Sequence, residues 1–163
     1  MTEIINNQRK IKLNLQIFQE FTENAISQIR ETENKSATIA FVSDRKMQAL
    51  NKQFRGKNLT TDVLSFPFEA DEFESGADNL GDIIISIEQA KKQAAENNLT
   101  LELEIKQLIL HGILHLCGYD HETDDGEMNR RELELREILH ILLRVRSSNF
   151  SWVAPAKRGA RTS

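Results

Sequence analysis

The 163-residue chain is 39% hydrophobic and 28% charged, with seven Gly and two Pro, a balance that excludes collagen-like, mucin-like and wholly disordered classes. Its length suits a single core, and no apolar run approaches the roughly 18 residues that a membrane-spanning helix needs. The formal charge of −4 is unevenly spread: Arg144, Arg146, Lys157, Arg158 and Arg161 make the end of the chain purely basic and leave residues 1–143 at −9.

The elements follow from periodicity. Glu3 to Gln8 reads as a short strand, and Leu15, Phe18, Phe21, Ala25, Ile26 and Ile29 mark one face of a helix from about Asn14 to Arg30. Ala37 to Val42 is a strand by composition, and Ser43 offers a side-chain oxygen to cap the next helix, which runs to about Phe54. On that helix Met47, Leu50 and Phe54 form a core stripe, while Arg45, Gln48, Lys52 and Arg55 fall on a different arc. Asp44 to Lys57 carries a net +4, whereas Glu69 to Asp78 holds five acids and no base. Such segregation either steers a polyanion to one surface or marks a solvated helix face and a solvated loop.

Asp62 to Phe68 is a third strand, placed at an edge because Pro67 lacks a ladder N–H. Glu69 to Leu80 reads as a surface loop, and the apolar Asp82 to Ser86 as a central strand. Ser86 caps a helix to about Glu96, and Thr100 caps the long apolar segment Leu101 to Cys117, which Gly118 ends. Met128, Leu135, Ile138, Leu139, Leu142 and Val145 outline a last helix. The expected fold is α+β, a four-stranded mixed sheet packed with about five helices, in one domain over residues 1–145 with a basic, flexible tail over 146–163. The amino terminus has no apolar signal core and Cys117 has no disulfide partner, so a reducing cytoplasm is the expected setting.

Three of the four histidines lie within the segment HGILHLCGYDH, at His111, His115 and His121. Four residues advance a helix by about 400°, so His111 and His115 project within about 40° of one another, one turn apart. Gly118 lets the chain reverse and bring His121 to the same point. Three imidazoles leave one tetrahedral position of a zinc ion open, as a catalytic site requires; nickel, copper or iron would also accept these nitrogens. Cys117, about 200° from His115, is aimed away and reads as apolar filler, and His140 is structural or exposed. The segment resembles the metzincin protease signature H-E-x-x-H-x-x-G-x-x-H except that Gly112 stands at the glutamate position, so peptide hydrolysis with that residue as general base should fail. Met128 reads as a core residue rather than a Met-turn.

HGILHLCGYDH, together with FRGK (Phe54 to Lys57), TDVLSFPF (Thr61 to Phe68) and Gly81-Asp82-Ile83, is similar to the conserved blocks of the YbeY endoribonucleases, a resemblance that spans residues 1–145 in order. It implies a metal-dependent, single-strand-specific endoribonuclease of ribosomal RNA maturation, especially at the small-subunit 3′ end, and of ribosome quality control. It also implies zinc on His111, His115 and His121, a functional role for Arg55, and single-stranded or ribosomal RNA, the ribosome or its proteins as partners.

On that reading His111 and Arg55 carry the chemistry, the metal as acid and Arg55 as clamp on the phosphate charge. Asp120 either orients a ligand imidazole or forms an ordinary turn; Asp62, Ser65 and Asp82 either line the cleft or cap local structure. Arg45, Lys46, Lys52 and Lys57 would hold backbone phosphates rather than read bases. The alternatives are a zinc peptidase that draws its carboxylate from elsewhere, and a non-catalytic ribosome-binding module with a structural zinc.

Overall fold

The computed structural model describes residues 2–69 and 78–141. The elements are β1 (Glu3–Asn6), α1 (Leu15–Gln28), a 3-10 turn (Arg30–Thr32), β2 (Ser36–Val42), α2 (Asp44–Arg55), β3 (Val63–Pro67), β4 (Asn79–Ser86), α3 (Ile87–Glu96), α4 (Leu101–Leu116) and α5 (Glu127–Ile138). The strands form one sheet in the order β1-β2-β4-β3. β1, β2 and β4 are parallel and β3 is antiparallel to β4, which makes the sheet mixed, with Pro67 on an edge strand and β4 inside.

Alternation along the strands sorts the side chains into two layers. Ala37, Ile39 and Phe41 of β2, Ile83 and Ile85 of β4 and Val63 of β3 join α1, α3, α4 and α5 in the main core. Val42, Leu64 and Phe66 point the other way and pack with Met47 of α2, flanked by Leu50, Phe54 and Ile84. The basic residues Arg45, Lys46 and Lys52 of α2 are exposed, opposite this small core. Three caps act as expected: the hydroxyls of Ser43, Ser86 and Thr100 accept from the backbone N–H of Lys46, Gln89 and Leu103.

Several boundaries differ from expectation, and β1 ends at Asn6 rather than Gln8. α1 stops at Gln28 because the Thr32 hydroxyl donates to the Ile26 and Ile29 carbonyls, both at 2.8 Å, and draws the chain into the 3-10 turn. β4 starts at Asn79, three residues before the expected strand, because Asn79 and Gly81 find partners in Ser36 and Ala37. Turn-favouring residues are there overridden by a tertiary ladder. α5 ends at Ile138; the tail, Leu142 and Val145 lie outside the described residues, as does most of the acidic loop. Among the described residues no helix is long and apolar enough to cross a membrane.

α4 is buried on nearly all sides from Glu104 to Leu116, packed by β3, β4, α1, α3 and α5. Gly112 faces β4 at close range: a Cβ there would come within 2.8 Å of Ile83 Cδ1 and 2.9 Å of its Cγ2. Glycine at this position is therefore favoured by packing against Ile83.

Candidate metal centre

α4 carries His111 and His115 one turn apart, 9% and 7% exposed. The helix closes at Cys117, and Gly118, at φ +100°, takes the left-handed conformation that reverses the chain. Asp120 shapes the turn that follows: its carbonyl accepts from Thr123 and Asp124, at 3.2 and 3.1 Å, and its Oδ1 from Glu122 N–H at 3.1 Å. These bonds account for Asp120 as a turn former.

The turn delivers His121, half-buried, to the other two imidazoles. Ring centroids are 6.0 Å apart for His111 and His115, 6.1 Å for His111 and His121, and 5.7 Å for His115 and His121. Imidazoles that share one ion at the usual metal–nitrogen distance of about 2.1 Å place their centroids about 5 Å apart, within about an ångström of this triangle. Among the described residues no three metal-capable side chains are drawn up into a ready-made cage, so the fit rests on donor chemistry and mutual spacing.

The electrostatics at His115 suit a neutral imidazole donor. Burial, reinforced by His111 and His121, pushes His115 down to about 4, against a hydrogen bond to the Tyr119 backbone and the charge of Asp120. Its lone pair is therefore available at neutral pH. Nδ1 of His111 is hydrogen-bonded to Oε1 of Glu132 on α5.

Arg55 ends α2, half-buried, and its Nη1 is buried with no hydrogen-bond partner among the described residues. Desolvation lowers its pKa, opposed by the charge of Glu122, the neighbour of His121. Arg55 thus sits within electrostatic reach of the histidine turn, with one donor unused. Lys57 is exposed beyond it.

The weaker candidates separate. Oδ1 of Asp62 accepts from Val63 N–H at 2.9 Å and from the Thr61 hydroxyl at 3.3 Å, which is capping at the start of β3. Ser65 is fully buried on β3, paired in register with Ile83, the residue beneath Gly112. Asp82 is exposed on β4, and His140 is exposed. Cys117 is partly buried, its thiol pushed up to about 12 chiefly by burial, which makes it a poor ligand, and Met128 is core at 1% exposure.

Sequence reasoning missed Glu132, Arg136, Glu31 and Arg131. Glu132 had left a signal: it lies on the apolar stripe Met128, Leu135, Leu139 at helical spacing, where a carboxylate is costly without a partner. The Glu31–Arg131 pair joins residues 100 positions apart and left none.

A family model described as Endoribonuclease YbeY matches residues 3–142. The protein named Endoribonuclease YbeY from Nautilia profundicola is 46% identical over 108 residues, 66% of this chain and 75% of its own length. Its namesake from Thermodesulfovibrio yellowstonii is 39% identical over 146 residues, 81% of this chain and 91% of its own. The solution structure of TM1509 from Thermotoga maritima superposes with a TM-score of 0.58 at 31% identity, covering 85% of this chain and 89% of that one. With a family match over nearly all of the described fold, histidine segment included, this chain belongs to the YbeY endoribonuclease family.

Proposed function

We propose that this protein is a zinc-dependent endoribonuclease that cuts single-stranded RNA. The observation that carries the reading is the convergence of His111, His115 and His121 with Arg55 within electrostatic reach, in a chain whose family is named for endoribonuclease activity.

The three imidazoles would hold the ion. Zinc so held supplies Lewis acidity toward a phosphoryl oxygen or water. The burial that keeps His115 neutral preserves its lone pair for that purpose. The Arg55 guanidinium, partly desolvated and within electrostatic reach of Glu122 beside His121, would stabilise the charge that grows on the scissile phosphate. The exposed Arg45, Lys46, Lys52 and Lys57 hold flanking phosphates without reading bases. Gly112 supplies no base, and its contact with Ile83 leaves no room for one. That observation weighs against the peptidase reading, since phosphodiester cleavage can use the RNA 2′-hydroxyl as an internal nucleophile.

The substrate we assign, on the family resemblance, is ribosomal RNA, notably the small-subunit 3′ end, presented by the ribosome or its proteins in the cytoplasm. The test replaces His111 by Ala and Arg55 by Glu separately and follows cleavage of a single-stranded RNA with zinc present or chelated. Loss of cutting in both variants, and on chelation, is the expected result. Cleavage by both at the wild-type rate defeats the assignment.

A further inference from the structure

α5 packs on α4 through a stripe formed by Met128, Glu132, Leu135 and Leu139, so an acid occupies a place where the spacing favours an apolar side chain. Glu132 is 4% exposed. Its Oε1 meets Nδ1 of His111, and its Oε2 accepts from Nη2 of Arg136, one turn on, at 3.0 Å. The Arg136 side chain is itself only 12% exposed. A buried carboxylate is tolerated when it is paired and hydrogen-bonded, and these two groups meet that demand.

The pairing has a consequence for His111. The pairing with Arg136 favours an ionised Glu132, and an ionised carboxylate only accepts hydrogen bonds, so the contact favours the proton on Nδ1 and leaves Nε2 with the lone pair. Turning the ring over would break the bond to Glu132. One contact therefore selects both the tautomer and the orientation of an imidazole. The intrinsic preference of a neutral imidazole is the opposite tautomer, with the proton on Nε2, which cannot ligate a cation through that atom.

We infer that Glu132, held in turn by Arg136, is a positioning residue that keeps His111 in the Nδ1–H form and presents Nε2 to the metal. This rests on the reading of the histidine trio as a metal site. It adds a carboxylate from α5 to a centre otherwise built from α4 and the turn after it. Loss of such a partner typically weakens metal binding about 10–100-fold.

The experiment uses the full chain with Glu132→Leu combined with Arg136→Met, which places apolar side chains on an apolar stripe, and Glu132→Gln, which keeps the size and an acceptor. The first readout is the 15N–1H signature of the His111 ring in metal-free protein. The second is zinc affinity by competition with a chromophoric chelator. Wild type is expected to show the Nδ1–H tautomer, the double variant to shift toward Nε2–H and lose about 10–100-fold in zinc affinity, and Glu132→Gln to retain Nδ1–H with a loss of about 10-fold. A double variant with unchanged tautomer and unchanged affinity overturns the proposal. Should the double variant not fold, a wild-type ring spectrum in which Nε2 rather than Nδ1 carries the proton overturns it equally. If wild type takes up no zinc, the metal reading falls, and the ring spectra alone decide whether Glu132 positions His111.

Discussion

Arg131 of α5 grips Glu31 of the 3-10 turn through two parallel hydrogen bonds, Nε to Oε2 and Nη2 to Oε1, each 2.8 Å. The Tyr119 hydroxyl donates to the same Oε2 at 2.8 Å. One carboxylate therefore ties the end of α1, the helix α5 and the connection between His115 and His121. Arg131 precedes Glu132 in the chain, so adjacent residues of α5 anchor the histidine turn and contact His111.

Glu31→Gln is expected to destabilise the protein by about 1–3 kcal/mol, the range for hydrogen bonds to charged groups, reduced to the extent that solvent screens the pair. The effect depends on pH with a definite sign. Hydrogen bonding from Arg131, opposed by burial and assisted by Tyr119, holds the Glu31 carboxyl down to about 2 from its usual 4.5. A depressed carboxylate contributes its stability above the unfolded pKa and loses it as pH falls from about 4.5 toward 2. Urea unfolding over a pH series should show wild type and variant converging in that window; a constant gap down to the acid end would refute the role given to Glu31.

Gly112→Ala tests whether the glycine is required by packing. The added methyl would lie 2.8 to 3.0 Å from three atoms of Ile83, a fully buried residue of β4 that has little freedom to yield. A loss of about 1–3 kcal/mol is expected, as for other overpacked cores. Ile83→Ala in the same chain should recover part of it, so a double-mutant cycle in urea is the measurement. Additive single effects would mean that the contact with Ile83 is not what excludes a side chain at position 112.

Much of this was legible because local chemistry and global packing agree. The caps at Ser43, Ser86 and Thr100, the reversal at Gly118 and the four-residue step from His111 to His115 are short-range signals, and short-range geometry sets them. Pro67 marked its edge strand by the donor it lacks. The extra residues of β4 were hidden because an Asn-Leu-Gly segment reads as a turn until β2 pairs with it. The paired carboxylates were hidden for a related reason: the half-buried Glu31 meets Arg131, and the buried Glu132 meets His111, only after the chain has folded. An acid on a helix reads as solvated unless its place on the apolar stripe is given weight.

On the proposed metal site, His115 would couple folding and protons to zinc. Its pKa falls from 6.5 in the unfolded chain to about 4, mainly through burial, so metal-free protein should lose stability as pH drops from about 6.5 to 4, by about 3 kcal/mol at most. Above that window His115 is neutral and zinc should raise the unfolding temperature in a concentration-dependent way. His115→Ala should abolish the zinc response. A thermal shift by zinc that persists undiminished in this variant would place the ion elsewhere.

Arg55→Lys and Arg55→Glu distinguish a charge clamp from a structural residue. Nη1 makes no hydrogen bond within the described residues, so Arg55→Lys should leave thermal stability within about 0.5 kcal/mol of wild type, whereas Arg55→Glu sets a second acid near Glu122 and should cost somewhat more. RNA cleavage should fall about 100–1,000-fold with glutamate, the scale seen when a preorganised donor to developing charge is removed. Lysine keeps the charge but not the planar fork, so it should retain more activity while losing geometric discrimination. RNA binding to the surrounding basic face should weaken steeply with salt in all three proteins, with a shallower slope for Arg55→Glu. Single-turnover cleavage over a salt series reads both effects. A glutamate variant that cuts as wild type does, with the same salt slope, would remove Arg55 from the site.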